Sequence, residues 1–233
     1  MRLLRSAAFN LFFYALSAAM LLALPLVRRR GGAALQAYVR CWARLVLGAA
    51  RRICGISWRV VGTLPAGPAL IASRHQSAFD TIVWFLLLAS PAPTPAYVLK
   101  RELTRLPLVR GLCDGLGLIV VDRGAGQAAI RALLRGADAA MRAGRTIVIF
   151  PEGTRAPPGT MLPLQPGVAA LAQRTGLPVV PVATDSGDRW GRRAFFKNPG
   201  VITIAIREAL PAGLPREALM RELTTALAAP PCG

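Results

Sequence analysis

The chain opens with a long apolar segment that no charged residue interrupts. From Ser6 to Val27 the sequence runs for 22 residues without a charged side chain. At about 1.5 Å per residue, a helix of this length can cross a hydrocarbon core about 30 Å thick. The segment therefore predicts a membrane helix. A cleaved signal peptide is the alternative, because Arg2 and Arg5 give a basic start, but the arginines at 28–30 favour a retained segment with the rest of the chain in the cytoplasm.

A second segment, residues 33–56, combines basic and apolar positions at helical spacing. Arg40, Arg44 and Arg51 recur on one side, and leucine, valine and isoleucine lie between them. This pattern predicts an amphipathic helix at the lipid headgroup layer. An ordinary surface helix with a solvated basic face is the alternative.

Together, the two segments predict a membrane-anchoring unit over residues 1–56. The unit is either a membrane helix or a helical hairpin that enters one leaflet. Pro25 and the glycines at 31–32 would supply the bend of such a hairpin.

From residue 57 the pattern changes to short β-branched runs separated by helical stretches. The predicted strands are residues 69–73, 96–99, 117–122, 145–150, 177–183 and 201–206. Helices are predicted at 127–143 and 167–175, and the short apolar run at 81–90 is predicted to be a core helix. This alternation predicts an α/β domain over residues 57–233, with a mixed, mostly parallel sheet flanked by helices.

Composition and charge narrow the possible partners. The formal net charge is +18, and all 29 basic residues except Lys100 and Lys197 are arginine. Such a surface attracts anions, which include nucleic acid, acidic lipid headgroups and phosphorylated substrates. The cysteines lie far apart without a CxxC pair, which predicts reduced thiols: Cys41, Cys54, Cys113 and Cys232. With one histidine and no clustered cysteine, no metal site is expected.

The only histidine, His75, is followed five positions later by Asp80. Residues five apart on a helix lie about 140° apart around its axis, so the two side chains can meet only if His75 precedes the helix. Ser77 and Asp80 fit an S-x-x-D capping box, which explains the aspartate as a helix start without chemistry. Alternatively, the carboxylate orients the imidazole and stabilises its protonated form, and the two roles are compatible. The pair is a candidate catalytic centre.

A second candidate site is the sequence FPEGTR at 150–155, at the end of a predicted strand. Gly153 lets backbone N–H groups approach an anion, Thr154 offers a hydroxyl group, and Arg155 can bind a phosphate through two parallel hydrogen bonds. Arg123 follows another predicted strand, and α/β proteins bind ligands at the carboxyl ends of strands. A histidine with two such arginines suits transfer to a phosphorylated alcohol. A turn with an outward-pointing arginine is the alternative.

Four motifs resemble those of the glycerolipid acyltransferases, in particular bacterial lysophosphatidic acid acyltransferases, and they occur along the chain in the same order as in that family. The first, Asn-His-x-Ser-x-x-Asp, corresponds to RHQSAFD at 74–80, and the third, Phe-Pro-Glu-Gly-Thr-Arg, is unchanged at 150–155. The fourth, a hydrophobic stretch with a proline, corresponds to VVPV at 179–182. The second corresponds to dispersed positions: Lys100, Pro107, Gly111, Gly117 and Arg123.

The chain departs from the family pattern at two places. Arg74 stands where asparagine is usual, and Gln165 and Pro166 replace the lysine that often precedes the glycine matching Gly167. The first change adds a cation beside the histidine and the second removes one. Both bear on how the headgroup is held.

The resemblance implies a glycerol-3-phosphate acyltransferase-like fold and a direct acyl transfer that needs no cofactor. His75, held by Asp80, would take the proton from the sn-2 hydroxyl of 1-acylglycerol 3-phosphate as it attacks the thioester of acyl-CoA or acyl carrier protein. The product would be phosphatidic acid. The residues that would hold the headgroup are Arg123, Glu152, Gly153, Thr154 and Arg155. The implied partners are the lysophospholipid acceptor, the thioester donor and membrane lipid, at the cytoplasmic face of the inner membrane.

Other functions remain as alternatives. The nearest is acyl transfer to another lysolipid, such as lyso-ornithine lipid. The G-x-G-x-x-A pattern at 124–129 suggests a dinucleotide-dependent oxidoreductase, but Asp122 and Arg123 precede the glycines and no acidic residue ends a following strand about 20 residues on. The charge suggests a membrane-tethered nucleic-acid binder, but aromatic residues are not interleaved with the basic ones, so no nucleic-acid partner is expected.

Overall fold

The computed structural model describes residues 1–88 and 95–231, apart from the side chain of Arg123. Cys232 and the end of the run at 81–90 therefore lie outside the described residues. The helices are α1 (Arg2–Arg28), α2 (Gly32–Cys54), α3 (Ala78–Leu87), α4 (Pro107–Gly115), α5 (Gln127–Arg142), α6 (Gly167–Thr175), α7 (Ser186–Arg189) and α8 (Arg216–Ala228). The strands are β1 (Ile56–Val61), β2 (Leu70–Ser73), β3 (Ala96–Lys100), β4 (Ile119–Val121), β5 (Ile147–Ile149), β6 (Val179–Thr184) and β7 (Gly200–Ile206).

Within the described ranges the strands form one sheet of seven, in the order β1-β7-β6-β2-β5-β3-β4. Neighbouring strands are parallel except β6 and β7, which run antiparallel with Val182 opposite Ile206. Leu70 of β2 lies between Ile147 of β5 and Val179 of β6. The predicted mixed, mostly parallel sheet is confirmed.

Alternate residues of the central strands point to opposite faces of the sheet, as strand geometry requires. Ile71 and Val148 belong to the hydrophobic cluster that includes α1, α2 and α3. Leu70 and Ile147 belong to the cluster that includes α5, α6 and α8. Because helices cover both faces, both sides of these central strands are apolar, and the sequence therefore shows continuous apolar runs there.

The predicted strands and helices lie close to the observed elements, and four further elements were not predicted: β1, α4, α7 and α8. The helix expected from the run at 81–90 begins earlier, at Ala78, directly after the capping residue Ser77. β1 was missed because it is an edge strand whose polar and exposed positions interrupt the apolar run. α4 contains two glycines, which weaken a helical pattern. α8 could have been found, since Leu219, Leu223 and Leu227 are buried at four-residue spacing.

α1 packs against the rest of the protein on one side. Phe9 is completely buried, and its ring meets that of Trp190 edge-on, with 5.0 Å between centroids. Ser6 is also buried and accepts a hydrogen bond from the backbone N–H of Lys197 at 3.0 Å. The other side of the helix is exposed and apolar: Leu3, Leu4, Leu11, Leu22 and Leu26. A helix with one face on the protein and one exposed apolar face suits contact with lipid.

The connection between the first two helices is made by glycine. α1 continues through Pro25 to Arg28, so the helix does not end at this proline. Gly31, with a φ of 92°, precedes α2 and makes the turn, as predicted for the glycine pair.

α2 buries its apolar face inside the protein. The buried side chains recur every three or four residues: Leu35, Val39, Ala43, Val46, Leu47, Ala50 and Cys54. Arg44 and Arg51 are exposed on the opposite side. This arrangement agrees with the surface-helix alternative, and Leu45, which is 45% exposed, remains available to lipid.

By length and composition, α1 is the one helix in the described part of the chain that could cross a membrane, with a mean hydropathy of 1.9. Signal sequences share these properties, so a retained membrane anchor stays a prediction. The division into an anchoring unit at 1–56 and a domain at 57–233 also stays a prediction. Residues of both parts belong to one hydrophobic cluster.

We expect Phe9→Ala to lower the free energy of unfolding by about 3 to 5 kcal/mol, because it leaves a cavity where a buried ring packs. Leu11→Ala is the matched control, since Leu11 is 73% exposed on the same helix. Thermal unfolding of the two full-length variants in detergent micelles measures the difference. Equal melting temperatures would show that α1 is not packed against the domain.

Candidate active site

Parallel strands bring the candidate residues to one edge of the sheet. β6, β2, β5, β3 and β4 are consecutive parallel neighbours, so their carboxyl ends lie side by side. His75 follows β2, and residues 150–155 follow β5, which pairs with it. Lys100 ends β3, the next strand along the edge.

The imidazole of His75 is held on two sides. Its Nδ1 lies 3.2 Å from Oδ2 of Asp80, and its ring stacks on Phe150 with 4.2 Å between centroids. The His75 side chain is 14% exposed, whereas that of Asp80 is buried. Because Nδ1 faces the carboxylate, Nε2 is the ring nitrogen that remains for a substrate.

The same oxygen of Asp80 caps α3. Oδ2 accepts hydrogen bonds from the backbone N–H groups of Gln76 and Ser77, both at 2.7 Å. The hydroxyl oxygen of Ser77 accepts a bond from the backbone N–H of Phe79 at 3.0 Å. The predicted capping box is therefore confirmed, and it coexists with the contact between Asp80 and His75.

Glu152 is buried behind the histidine and joins two loops. Its Oε2 accepts a hydrogen bond from the backbone N–H of His75 at 2.9 Å. The backbone N–H of Ala156 donates to the carbonyl oxygen of His75 at 2.7 Å, which ties the same loops a second time. Burial raises the pKa of Glu152, while the N–H of His75 and the charge of Arg74 lower it. Glu152 does not line the cavity beside the site, so its contact with a substrate stays a prediction.

Arg74, where the resemblance expects asparagine, is paired with Glu152. Its guanidinium lies 3.7 Å from Oε1 of that residue and also donates to the carbonyl oxygen of Thr160. The side chain of Arg74 is 9% exposed. Its charge is therefore neutralised inside the protein, and it also holds the loop that contains Thr160.

Gly153, Thr154 and Arg155 line the cavity beside His75. Gly153 has a φ of 72°, which glycine adopts without steric cost. Burial lowers the pKa of Arg155, and the negative charge of Asp80 partly opposes this shift. These three residues are thus brought to the histidine, as the sequence predicted.

A cavity of about 570 Å³ opens at this edge of the sheet. Helices α1, α2, α3 and α4 and strand β3 contribute most of its wall. The apolar lining includes Phe13, Leu21, Leu24, Val39, Trp42, Ile82, Phe85, Val98, Leu112 and Leu116. The polar part includes His75, Thr154, Arg155, Arg192 and Arg193. Such a cavity suits an amphipathic ligand with an anionic head.

Sequence reasoning missed two residues of this wall, Arg192 and Arg193. They lie in the loop between α7 and β7, which carries no recognised motif. The basic pair itself was the available signal. Arg123 itself follows β4 in a short 3₁₀ turn, and its side chain lies outside the described residues.

The sequence profile of the acyltransferase family matches residues 57–185. The chain belongs to the acyltransferase family. The 1-acyl-sn-glycerol-3-phosphate acyltransferase of Pseudomonas aeruginosa is 36% identical over 176 residues, which cover 75% of this chain and 67% of that protein. The human 1-acyl-sn-glycerol-3-phosphate acyltransferase beta is 29% identical over 147 residues, which cover 63% of this chain and 52% of that protein. This acyltransferase chain thus matches about half to two thirds of the length of these relatives.

A solved structure shares the fold of this acyltransferase. The crystal structure of the 1-acyl-sn-glycerophosphate (LPA) acyltransferase PlsC from Thermotoga maritima superimposes with a TM-score of 0.73 and 22% identity. The superposition covers 98% of this chain and 95% of that one, including the two N-terminal helices. The expected acyltransferase-like fold is therefore confirmed.

Membership of the acyltransferase family decides against the oxidoreductase and nucleic-acid-binding alternatives. In the G-x-G-x-x-A segment, the carboxylate of Asp122 accepts a hydrogen bond from the N–H of Gly124 at 3.1 Å. A dinucleotide phosphate would need such N–H groups. In the part of the chain that the structure describes, no cluster of three or more histidine, cysteine or acidic residues could hold a metal ion.

We expect the pair of Arg74 and Glu152 to make the free energy of unfolding depend on pH. Arg74→Met should lower the free energy of unfolding at neutral pH by about 3 kcal/mol, because Glu152 then stays buried without its cation. The loss of that charge raises the pKa of Glu152 further above its ordinary value of 4.5. When the pKa of a carboxyl group is higher in the folded than in the unfolded state, the free energy of unfolding falls as pH rises from the unfolded pKa to the folded pKa.

The difference between Arg74→Met and the wild type should therefore be larger at pH 7 than at pH 4.5, as measured by denaturant unfolding in detergent micelles. The double variant Arg74→Met/Glu152→Gln is the control, because it has no carboxylate to titrate at this position. A difference that is the same at both pH values would show that Arg74 does not act through the charge of Glu152.

Proposed function

We propose that this acyltransferase transfers an acyl chain from acyl-CoA or acyl carrier protein to the sn-2 hydroxyl of 1-acylglycerol 3-phosphate, giving phosphatidic acid. One observation carries the proposal: His75, held by Asp80 behind it, lies in the wall of an apolar cavity that Arg155 also lines. The cavity offers room for an acyl chain, the histidine offers a base, and the arginine offers a partner for phosphate. The names of the relatives agree with this combination.

The proposed reaction is a single displacement at the thioester carbonyl. Nε2 of His75 takes the proton of the acceptor hydroxyl as its oxygen attacks the carbonyl carbon. Asp80 keeps the imidazole in the tautomer that carries its proton on Nδ1, and it stabilises the imidazolium that forms. The tetrahedral intermediate then collapses, the carbon–sulfur bond breaks, and the proton passes to the departing thiolate. No covalent acyl-enzyme is needed.

Backbone N–H groups near the base would stabilise the developing oxyanion. The loop at 153–155 begins in a positive-φ turn, and its residues line the cavity. The proposed headgroup contacts are those inferred from the motifs, with Arg155 on the phosphate and Thr154 beside it. Arg123 and Glu152 complete the proposed set, Glu152 acting through the loop that it holds.

The proposed location is the cytoplasmic face of the inner membrane, with α1 in contact with lipid. The exposed leucines of α1 and the arginines at 28–30 support this placement. An acceptor and a product that both reside in the bilayer would need such an arrangement. The nearest alternative acceptor is another lysolipid, such as lyso-ornithine lipid, which lacks the phosphate.

His75→Ala should abolish acyl transfer, and Asp80→Asn should lower kcat by about a hundredfold to ten-thousandfold. Asparagine still offers an oxygen to the backbone N–H groups of Gln76 and Ser77, but it carries no charge to stabilise the imidazolium. Thiol release from acyl-CoA in mixed micelles measures the rate.

Ser77→Ala is the matched control for Asp80→Asn. It removes the bond to the N–H of Phe79 and should cost about 1 kcal/mol of stability with little change in kcat. If Asp80→Asn turned over at the wild-type rate, this carboxylate would serve only as a helix cap.

Arg155→Lys should raise KM for 1-acylglycerol 3-phosphate, with a loss of about 1.5 to 3 kcal/mol for a charge-assisted hydrogen bond. Lysine cannot reproduce the planar fork that binds a phosphate through two parallel bonds. The ratio of kcat/KM for 1-acylglycerol 3-phosphate and for lyso-ornithine lipid, in wild type and variant, is the decisive measurement. An equal loss for both acceptors would contradict the assignment of Arg155 to the phosphate.

A further inference from the structure

A short loop between α7 and β7 places two more cations in the wall of the cavity. Arg192 and Arg193 line the same cavity as His75 and Arg155. The loop lies beyond residue 185, where the match to the acyltransferase family profile ends. β6, the strand that leads towards this loop, is the parallel neighbour of β2, which leads to His75. The two arginines therefore belong to the connection that follows β6, whereas Arg155 belongs to the loop that follows β5.

The three arginines of this wall form a cluster of like charge. A guanidinium N–H of Arg192 donates to the carbonyl oxygen of Arg155 at 3.5 Å. Burial lowers the pKa of Arg155, and the charges of Arg192 and Arg193 lower it further, whereas Asp80 opposes them. Within residues 1–88 and 95–231, no carboxylate forms an ion pair with any of the three arginines. Such a cluster is stabilised by an anion.

The backbone of Arg193 has a φ of 53°, in the left-handed region. It is the one residue other than glycine with such a value among the described residues. A long side chain adopts this conformation only where the surrounding structure imposes it, and such strain is concentrated at ligand sites. The position of Arg193 is therefore held by its surroundings.

α1 supplies the contacts that hold this loop. The side-chain amide of Asn10 donates to the carbonyl oxygen of Phe195 at 3.0 Å, and its oxygen accepts a bond from Nζ of Lys197 at 3.0 Å. Nζ of Lys197 also donates to the carbonyl oxygens of Ala194 and Phe195, at 2.6 and 3.1 Å. Lys197 is 3% exposed. A buried ammonium needs such partners, so the loop is fixed where Lys197 meets α1.

We propose that Arg192 and Arg193 form, with Arg155, a phosphate-binding subsite whose loop α1 holds in place through Asn10 and Lys197. This inference rests on the proposed acyl transfer and extends it to residues outside the known motifs. The ligand is a phosphate group, which two substrates of that reaction can supply. One source is the phosphomonoester of the acceptor, and the other is the phosphates of a coenzyme A donor.

The test compares Arg192→Gln and Arg193→Gly with Arg131→Gln. Glycine adopts a positive φ without strain, so Arg193→Gly removes the side chain without demanding a change in the backbone. Arg131 is exposed on α5, on the opposite face of the sheet, and its replacement makes the same change in charge. In one arm, 1-acylglycerol 3-phosphate is varied at saturating acyl-CoA, and in the other arm acyl-CoA is varied at saturating acceptor.

Each loop variant should raise KM on the order of tenfold in one arm, with kcat little changed, because each removes a charge-assisted contact. The arm that responds identifies the source of the phosphate. Values of KM that match those of Arg131→Gln in both arms would overturn the proposal.

The role of α1 is tested by Asn10→Leu, which removes both amide contacts and keeps the helix apolar. It should raise the same KM as the loop variants, whereas Leu11→Ala, at an exposed position on α1, should leave it unchanged. A lower melting temperature with an unchanged KM would overturn the positioning role of Asn10.

Direct binding separates this inference from the proposed function. Isothermal titration of the full chain in detergent micelles with 1-acylglycerol 3-phosphate, and separately with coenzyme A, measures affinity without turnover. If the wild type showed no acyl transfer, the proposed function would fail. Weaker binding of either compound by both loop variants would still support the phosphate subsite, and unchanged binding would contradict it.

Discussion

A single oxygen atom, Oδ2 of Asp80, accepts the backbone N–H groups of Gln76 and Ser77 and lies 3.2 Å from Nδ1 of His75. The two backbone bonds determine where α3 begins, and the third contact determines where the imidazole lies. Because one atom makes all three contacts, the histidine cannot shift without disturbing the start of a buried helix. The hydrogen bonds that cap the helix therefore also hold the imidazole of His75 in place. A fixed position relative to the substrate is what the proposed base needs.

Buried charges hold the loops around this centre. Glu152 accepts the backbone N–H of His75 and is neutralised by Arg74, while Lys197 fixes the loop of Arg192 and Arg193 against α1. Burial lowers the pKa of Lys197, as expected for an ammonium that has lost its water. Apolar packing is weakly directional, whereas a buried charge tolerates few arrangements of its partners. The loops at the edge of the sheet are therefore more closely defined than their lack of regular structure suggests.

The sequence was informative where local physics decides the structure. Buried parallel strands must be apolar on both faces, so β2, β5 and β6 were visible as continuous runs. Helix geometry and a capping pattern only a few residues long placed His75 just before α3, where it could meet Asp80. The loop that carries Arg193, by contrast, is contacted by Asn10 through Phe195 and Lys197, more than 180 residues away along the chain. No local pattern records such a contact, and the buried role of Glu152 behind the histidine was hidden for the same reason.

The cavity explains why the apolar helix and the reaction centre belong to one structure. Phe13, Leu21 and Leu24 of α1 line the same cavity as His75, while the other face of this helix is exposed and apolar. If the acceptor is a lysolipid, its chain must leave the bilayer to reach the base. Exposing each methylene group to water on that path would cost about 0.8 kcal/mol. If the exposed face of α1 lies in lipid, a cavity wall made from the same helix shortens the path through water. In that arrangement α1 is part of the proposed site as well as a membrane anchor.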